Sequence, residues 1–191
     1  MAQPARKHDT PPATYADLLQ LPEHLTGEIL NGELHTMPRP AIRHARASSV
    51  LSGKLAPTFD FDNTGSDGWL ILFEPELHLG DKPHILVPDL AGWRRERLPS
   101  LPDTAWLELA PDWACEVLSP STASKDRILK MPIYRAEGVE WFWIVDPEHK
   151  TLEAYQSSGG HWILLGAWGD DDVARIPPFD AIEISLAALW I

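Results

Sequence analysis

Cysteine is almost absent from this chain. The single Cys115 excludes an internal disulfide framework and a thiolate metal site, and it points to a reducing cytoplasm. Long apolar runs are missing as well. The longest, around Trp141 to Val145, falls far short of the ~20 residues needed to cross a bilayer. The opening MAQPARKHDTPPATYADLL is polar and punctuated by proline, without the apolar centre of a signal peptide. Positive charge is scarce, since 16 Lys and Arg face 28 Asp and Glu for a net charge of −12. Binding to nucleic acid draws much of its affinity from neutralised phosphates, so the charge disfavours tight non-specific duplex binding over most of the surface. Two short basic clusters remain, Arg39, Arg43, His44 and Arg46, and then Arg94, Arg95 and Arg97. They read equally well as solvated charge on an acidic protein. No glycine-rich phosphate loop occurs, and the eight histidines show no paired zinc-ligand spacing.

What is present is enough apolar material, 44% of 191 residues, for one sizeable core. Residues 1–13 read as a disordered tail, and 14–191 as a single domain with no repeat or linker. Thr14 and Asp17 form a capping box for a short helix whose Leu18, Leu19 and Leu21 are expected to face the core. Asn31-Gly32 between two alternating segments predicts a two-residue hairpin turn. That turn sets Leu30 opposite Glu33, Ile29 opposite Leu34, and Glu28 opposite His35. A longer helix is predicted from Ala41 to Phe59, with Val50, Leu51 and Leu55 at helical spacing. Strands are predicted over Trp69–Phe73, Glu76–Leu79 and Ile85–Trp93. DWACEVLSP reads as a buried strand in which Trp113, Cys115 and Val117 alternate with Ala114, Glu116 and Leu118. STASKDRILKMPIYRAEG reads as a helix capped by Ser121 or Ser124 and stopped by Gly138, with Pro132 forcing a kink or a late start. Three strands, 141–145, 151–156 and 161–165, make a closing meander, followed by a short strand near 182–184 and a terminal helix from Ser185. The nine tryptophans are core and interface material rather than base-stacking platforms.

Acidic groups stand where the sheet should be dry. Asp89 follows Pro88 at the end of the apolar run ILV, and Glu116 interrupts WACEVL. A charge inside a buried strand is costly unless paired or bound to a metal. Two carboxylates converging from neighbouring strands form an oxygen-lined site suited to Mg²⁺ or Mn²⁺, and such an ion activates water against a phosphodiester. An amine alongside would orient that water or stabilise developing charge. Lys130, on the helix directly after the Glu116 strand, is the best-placed amine. Bland readings stand beside these: Asp89 as a strand-end turn residue, Glu116 as half of a structural ion pair. Lys130 and Asp126, four residues apart, have the spacing of a surface helix pair worth only ~0.3 kcal/mol; taken alone Lys130 reads as surface before catalytic, and its case depends on Asp89 and Glu116. Cys115 should point to the opposite face from Glu116.

The segments EILNGEL, VPDLAGW and WACEVLSPSTASKDRILKMPIYRAEGVEWFWIVDP resemble the Uma2 family of restriction-endonuclease-like proteins, also called DUF820, over nearly the whole chain from about Thr14. The resemblance implies the PD-(D/E)XK nuclease fold, an α/β (α+β) restriction-endonuclease-like core. In it a central mixed β-sheet is flanked by helices, with an N-terminal hairpin and a C-terminal β-meander. It puts the PD at Pro88-Asp89 and the next acid at Glu116. It also implies that the lysine expected at Leu118 has moved to the following helix as Lys130, that Glu28 is a further acidic site position, and that His44 lies near the site. The expected activity is Mg²⁺-dependent (or Mn²⁺-dependent) hydrolysis of DNA in the cytoplasm. Asp89, Glu116 and the Val117 carbonyl would hold the metal. Lys130 would position water, with Glu28 and His44 in support. The rival reading is a nuclease fold that no longer cleaves and serves as a binding module; a weaker one is a carboxylate-pair hydrolase. An exposed strand edge on the meander would allow a homodimer.

Overall fold

The computed structural model describes residues 11–62, 65, 67–81 and 84–190. Residues 1–10 of the expected tail lie outside the described residues. The remainder of that tail is not loose, because the Ala13 N–H donates to the Gly32 carbonyl at 2.8 Å. Helix α1 (Tyr15–Leu19) begins at the expected capping box. Its expected core face does not form: none of its residues is buried and Leu19 is 71% exposed. The helix is too short to lay a full apolar stripe on the sheet, and only Leu18 and Leu21 tuck towards Gly27.

Strands β1 (Leu25–Leu30) and β2 (Glu33–Pro38) pair in the expected register, with Glu28 opposite His35. Asn31 and Gly32 both adopt positive φ, 53° and 79°, as a tight turn of this twist demands. Helix α2 (Ile42–Ala56) ends at Pro57, where the missing N–H stops the α ladder. The chain continues in a wider turn closed by the Asp62 N–H on the Pro57 carbonyl.

Strands β3 (Trp69–Phe73) and β4 (Leu77–Leu79) come next. The single strand expected over Ile85–Trp93 is two strands in two sheets, β5 (His84–Leu86) and β6 (Leu90–Arg94). Pro88 has no N–H for a ladder, so the chain turns the corner at Val87-Pro88-Asp89 and frees these residues for other contacts. Strand β7 (Trp113–Val117) is buried throughout. After it, the expected helix is broken into α3 (Ala123–Lys125), a π turn over Asp126–Lys130, and α4 (Met131–Ala136). Its N-cap is Thr122 rather than Ser121 or Ser124. Pro132 cannot donate to Ile128, and the π turn absorbs that loss without ending the helical path. Gly138, at φ 87°, closes the segment as expected.

The meander β8 (Trp141–Asp146), β9 (Thr151–Ser158) and β10 (His161–Gly169) follows, then the short pair β11 (Val173–Ala174) and β12 (Ile184–Ser185) and a 3₁₀ turn over Leu186–Leu189. The larger sheet is mixed, in the order β10-β9-β8-β7-β6-β3, with only β7 and β8 parallel. A smaller antiparallel sheet runs β2-β1-β5-β4. The alternation in β7 sorts two cores. Trp113, Cys115 and Val117 face α2 together with Leu51, Leu55 and Phe179. Ala114 and Leu118 face α4 and the smaller sheet, with Leu30, Leu86 and Tyr134. Glu116 shares that second face, so the acid points into the seam between the two sheets and α4.

Candidate active site

Four pieces of chain converge at the seam. β1 brings Glu28, the Pro88 corner brings Asp89, β7 brings Glu116, and the π turn brings Lys130. All four side chains are buried. The Lys130 ammonium donates to Glu28 Oε1 and Glu116 Oε1, 2.7 Å from each, and to the Val87 carbonyl at 3.2 Å. The surface pair with Asp126 is therefore not what Lys130 makes. Glu116 Oε1 also accepts from the Tyr134 hydroxyl at 2.7 Å. Asp89 Oδ2 accepts the Val117 N–H at 2.7 Å, a bond the turned strand can no longer supply from its backbone. His44, on the buried face of α2, sits with Nε2 2.9 Å from Asp89 Oδ1. Glu28 Oε1 takes a further N–H from Val87 at 3.0 Å. Every site residue expected from the sequence thus lines or borders one cavity of about 400 Å³.

Besides Tyr134, three neighbours escaped the sequence reading. Lys125 lies 2.9 Å from Glu28 Oε2. It stands off the hydrogen-bonding direction, and Oε2 stays buried without a hydrogen bond. Asp126 is buried at the cavity wall, and Glu74, at φ 47°, lines it from the end of β3. Asp126 looked like the surface partner of Lys130, and nothing in its spacing announces a π turn. Glu74 sits in a strained backbone region that a non-glycine residue occupies only where its surroundings hold it.

One ammonium shared by two carboxylates shifts them in opposite directions. Burial pushes the Glu28 carboxyl up, but the Lys130 and Lys125 ammoniums and the Val87 N–H outweigh it and hold its pKa at about 2. Burial also pushes Glu116 up, and there it wins: Asp126, Asp89 and Glu28 add to it against Lys130 alone. Glu28 has a second cation beside it and Glu116 has none. Burial works against the Lys130 charge, yet Glu116, Glu28 and Asp126 hold it above the ordinary lysine value. For His44, burial favours the neutral ring, but the hydrogen bond and charge of Asp89 raise its pKa overall. Among the described residues no three carboxylate, imidazole or thiol groups already converge as a ready ion site; the Lys130 ammonium stands between Glu28 and Glu116 instead.

The mixed central sheet flanked by helices is that of the restriction-endonuclease-like fold, and the Pro-Asp corner, the acid on the adjoining strand and Lys130 meet at one seam of it. A crystal structure at 1.96 Å of a DUF820 protein from Anabaena variabilis ATCC 29413, described as a "putative nuclease", matches with a TM-score of 0.72. It covers 94% of this chain and 98% of that chain at 22% identity, a likeness of fold. The Uma2 family profile, described as "Putative restriction endonuclease", matches residues 14–188, and the chain belongs to this family. Comparison with curated proteins gives no match.

Proposed function

We propose that this protein is a metal-dependent endonuclease that hydrolyses DNA phosphodiester bonds at the cluster of Asp89, Glu116 and Lys130. The observation that carries the reading is the return of Lys130. Leu118 occupies the place where the superfamily lysine is expected, yet the ammonium lies 2.7 Å from Glu116. A lysine that had merely migrated to a surface helix would not be 2% exposed.

Asp89 and Glu116 would hold Mg²⁺ or Mn²⁺, with the Val117 carbonyl as a third ligand. The residues fit a hard divalent cation. The donors are oxygens, and the Asp89 and Glu116 carboxylates are buried in one cavity. When bound, the metal supplies charge neutralisation at the phosphate and a water of lowered pKa. Lys130, held as an ammonium with its three donors on Glu28, Glu116 and the Val87 carbonyl, is not the base; its positive charge would offset the charge that develops on the phosphate oxygens. His44 and the Val117 N–H orient the two Asp89 oxygens, and Tyr134 orients Glu116. Hydrolysis joins the water oxygen to phosphorus, breaks the bond to the leaving oxygen, and returns a proton to that oxygen.

The buried, unpaired Cys115 is in keeping with a reducing, cytoplasmic setting. No helix among the described residues is long and apolar enough to cross a membrane. Strand β10 lies at the edge of the larger sheet with Ile163, Leu164 and Leu165 exposed, the surface on which a second copy would pair in a homodimer. The test of function is calorimetric titration of Mg²⁺ and Mn²⁺ into wild type and Glu116→Ala, with cleavage of plasmid and single-stranded DNA. Binding and cleavage lost together in Glu116→Ala are expected. Cleavage unchanged by Glu116→Ala and Asp89→Ala would sink the reading, and wild type that binds no metal would favour the inactive module.

A further inference from the structure

We propose that the site takes an unpaired nucleotide of DNA, from a single strand or a bulge, and not the backbone of an intact duplex. This rests on the nuclease reading above and names its substrate class. The reactive groups lie on a floor: Glu28, Asp89, Glu116, Asp126 and Lys130 are each more than nine-tenths buried. The rim above them is exposed, with Pro38, Arg39 and Pro40 on the β2–α2 side and Pro120 and Ser121 on the β7–α3 side. Between floor and rim lie about 400 Å³, near the lower end of small-molecule pockets, which span about 300–1,000 Å³. That is room for a nucleotide. A phosphate that reaches Glu116 from outside must pass between these two exposed rims to a floor that is buried, a path open to one extruded nucleotide of a strand.

The walls suit the same occupant. Met37, Pro40 and Val87 offer apolar surface to a sugar and a base face. Ser119 Oγ lies 3.1 Å from both Ser121 Oγ and Thr122 Oγ1, a linked set of neutral hydroxyls at the mouth. Charge points the same way. Duplex binders neutralise many phosphates at once, whereas the cavity lining has Arg39 at its rim, Lys125 already paired with Glu28, and Lys130 already paired with Glu28 and Glu116. A pocket that recognises one nucleotide by shape and hydrogen bonds tolerates a chain charge of −12. Drawing a nucleotide out of a paired duplex costs unstacking and unpairing, which a single strand or bulge is spared.

The experiment uses the full chain and three fluorescein-labelled DNAs: a single strand of about twenty nucleotides, its perfect duplex, and that duplex with one bulged nucleotide. Binding is read by anisotropy with Ca²⁺ in place of Mg²⁺. The single strand and the bulge should bind at least about ten-fold tighter than the perfect duplex, the scale set by one well-held base. Duplex binding as tight or tighter, or binding of none of the three, overturns the inference. Ser121→Trp narrows the mouth from an exposed position, and it should weaken single-strand binding by about ten-fold while the melting temperature holds. Unchanged binding in that variant puts the strand elsewhere and also overturns the inference. Cleavage of the same DNAs with Mn²⁺ tests the nuclease reading separately: it fails if wild type cuts none of them faster than Glu116→Ala, whatever the binding order.

Discussion

Replacing Lys130 by Met keeps the bulk of the stem and removes the ammonium, which takes three acceptors' donor away at once: Glu28 Oε1, Glu116 Oε1 and the Val87 carbonyl. Breaking a buried pair on one side costs about 3–5 kcal/mol, because the remaining charge is left in a poor solvent. The two carboxylates will not suffer equally. Glu28 keeps Lys125 at 2.9 Å and the Val87 N–H, so it stays ionised. Glu116 keeps only the Tyr134 hydroxyl, so its carboxyl, already pushed up by burial, rises further. A carboxyl whose folded pKa lies above its unfolded value destabilises the fold increasingly as pH rises above that unfolded value, and ceases to do so only as pH falls back to it. The loss in Lys130→Met should therefore be larger at pH 8 than at pH 5. Urea unfolding followed by tryptophan fluorescence reads it: with a slope of about 2 kcal/mol/M, the midpoint falls by roughly 1.5–2.5 M. Adding Glu116→Gln to Lys130→Met should restore about half of the loss or more, since the orphaned charge is gone. A Lys130→Met protein within about 1 kcal/mol of wild type at pH 8, or a loss that does not shrink at pH 5, would refute the network.

Glu28 contributes with the opposite sign. Its pKa is held at about 2 in the fold against an ordinary 4.5, so its stabilisation of about 3 kcal/mol is complete above pH 4.5 and fades as pH falls towards 2. Glu28→Gln should flatten that acid limb in melting temperature against pH. Asp60, a buried residue of the wide turn after α2, accepts the Ile71 N–H at 3.0 Å and pairs with Arg95; Asp60→Ala should cost about 2 kcal/mol in urea unfolding. Gly32, at φ 79°, should lose about 1–2 kcal/mol as Gly32→Ala by the same measurement, with the cavity unchanged in shape.

Much of this protein was legible as a string. Asn31-Gly32 carries its own backbone conformation, so the turn and with it the pairing of Glu28 with His35 follow locally. The alternation in WACEV separates Cys115 from Glu116 whatever surrounds them, and the burial of the apolar neighbours marks that acid as one needing a partner. Pro88 marks a place where a ladder cannot run. What periodicity could not show is which partner answers. Glu28 belongs to the smaller sheet, Glu116 to the larger, and Lys130 to a helix that reaches across the seam between them. Lys130 and Asp126 stand four apart like any exposed helix pair, and only the π turn that accommodates Pro132 rotates both inward, bringing Lys125 to Glu28 as well. Local spacing determines conformation; the pairing of buried charges depends on distances through space, so only the packed fold decided which cation neutralises which acid.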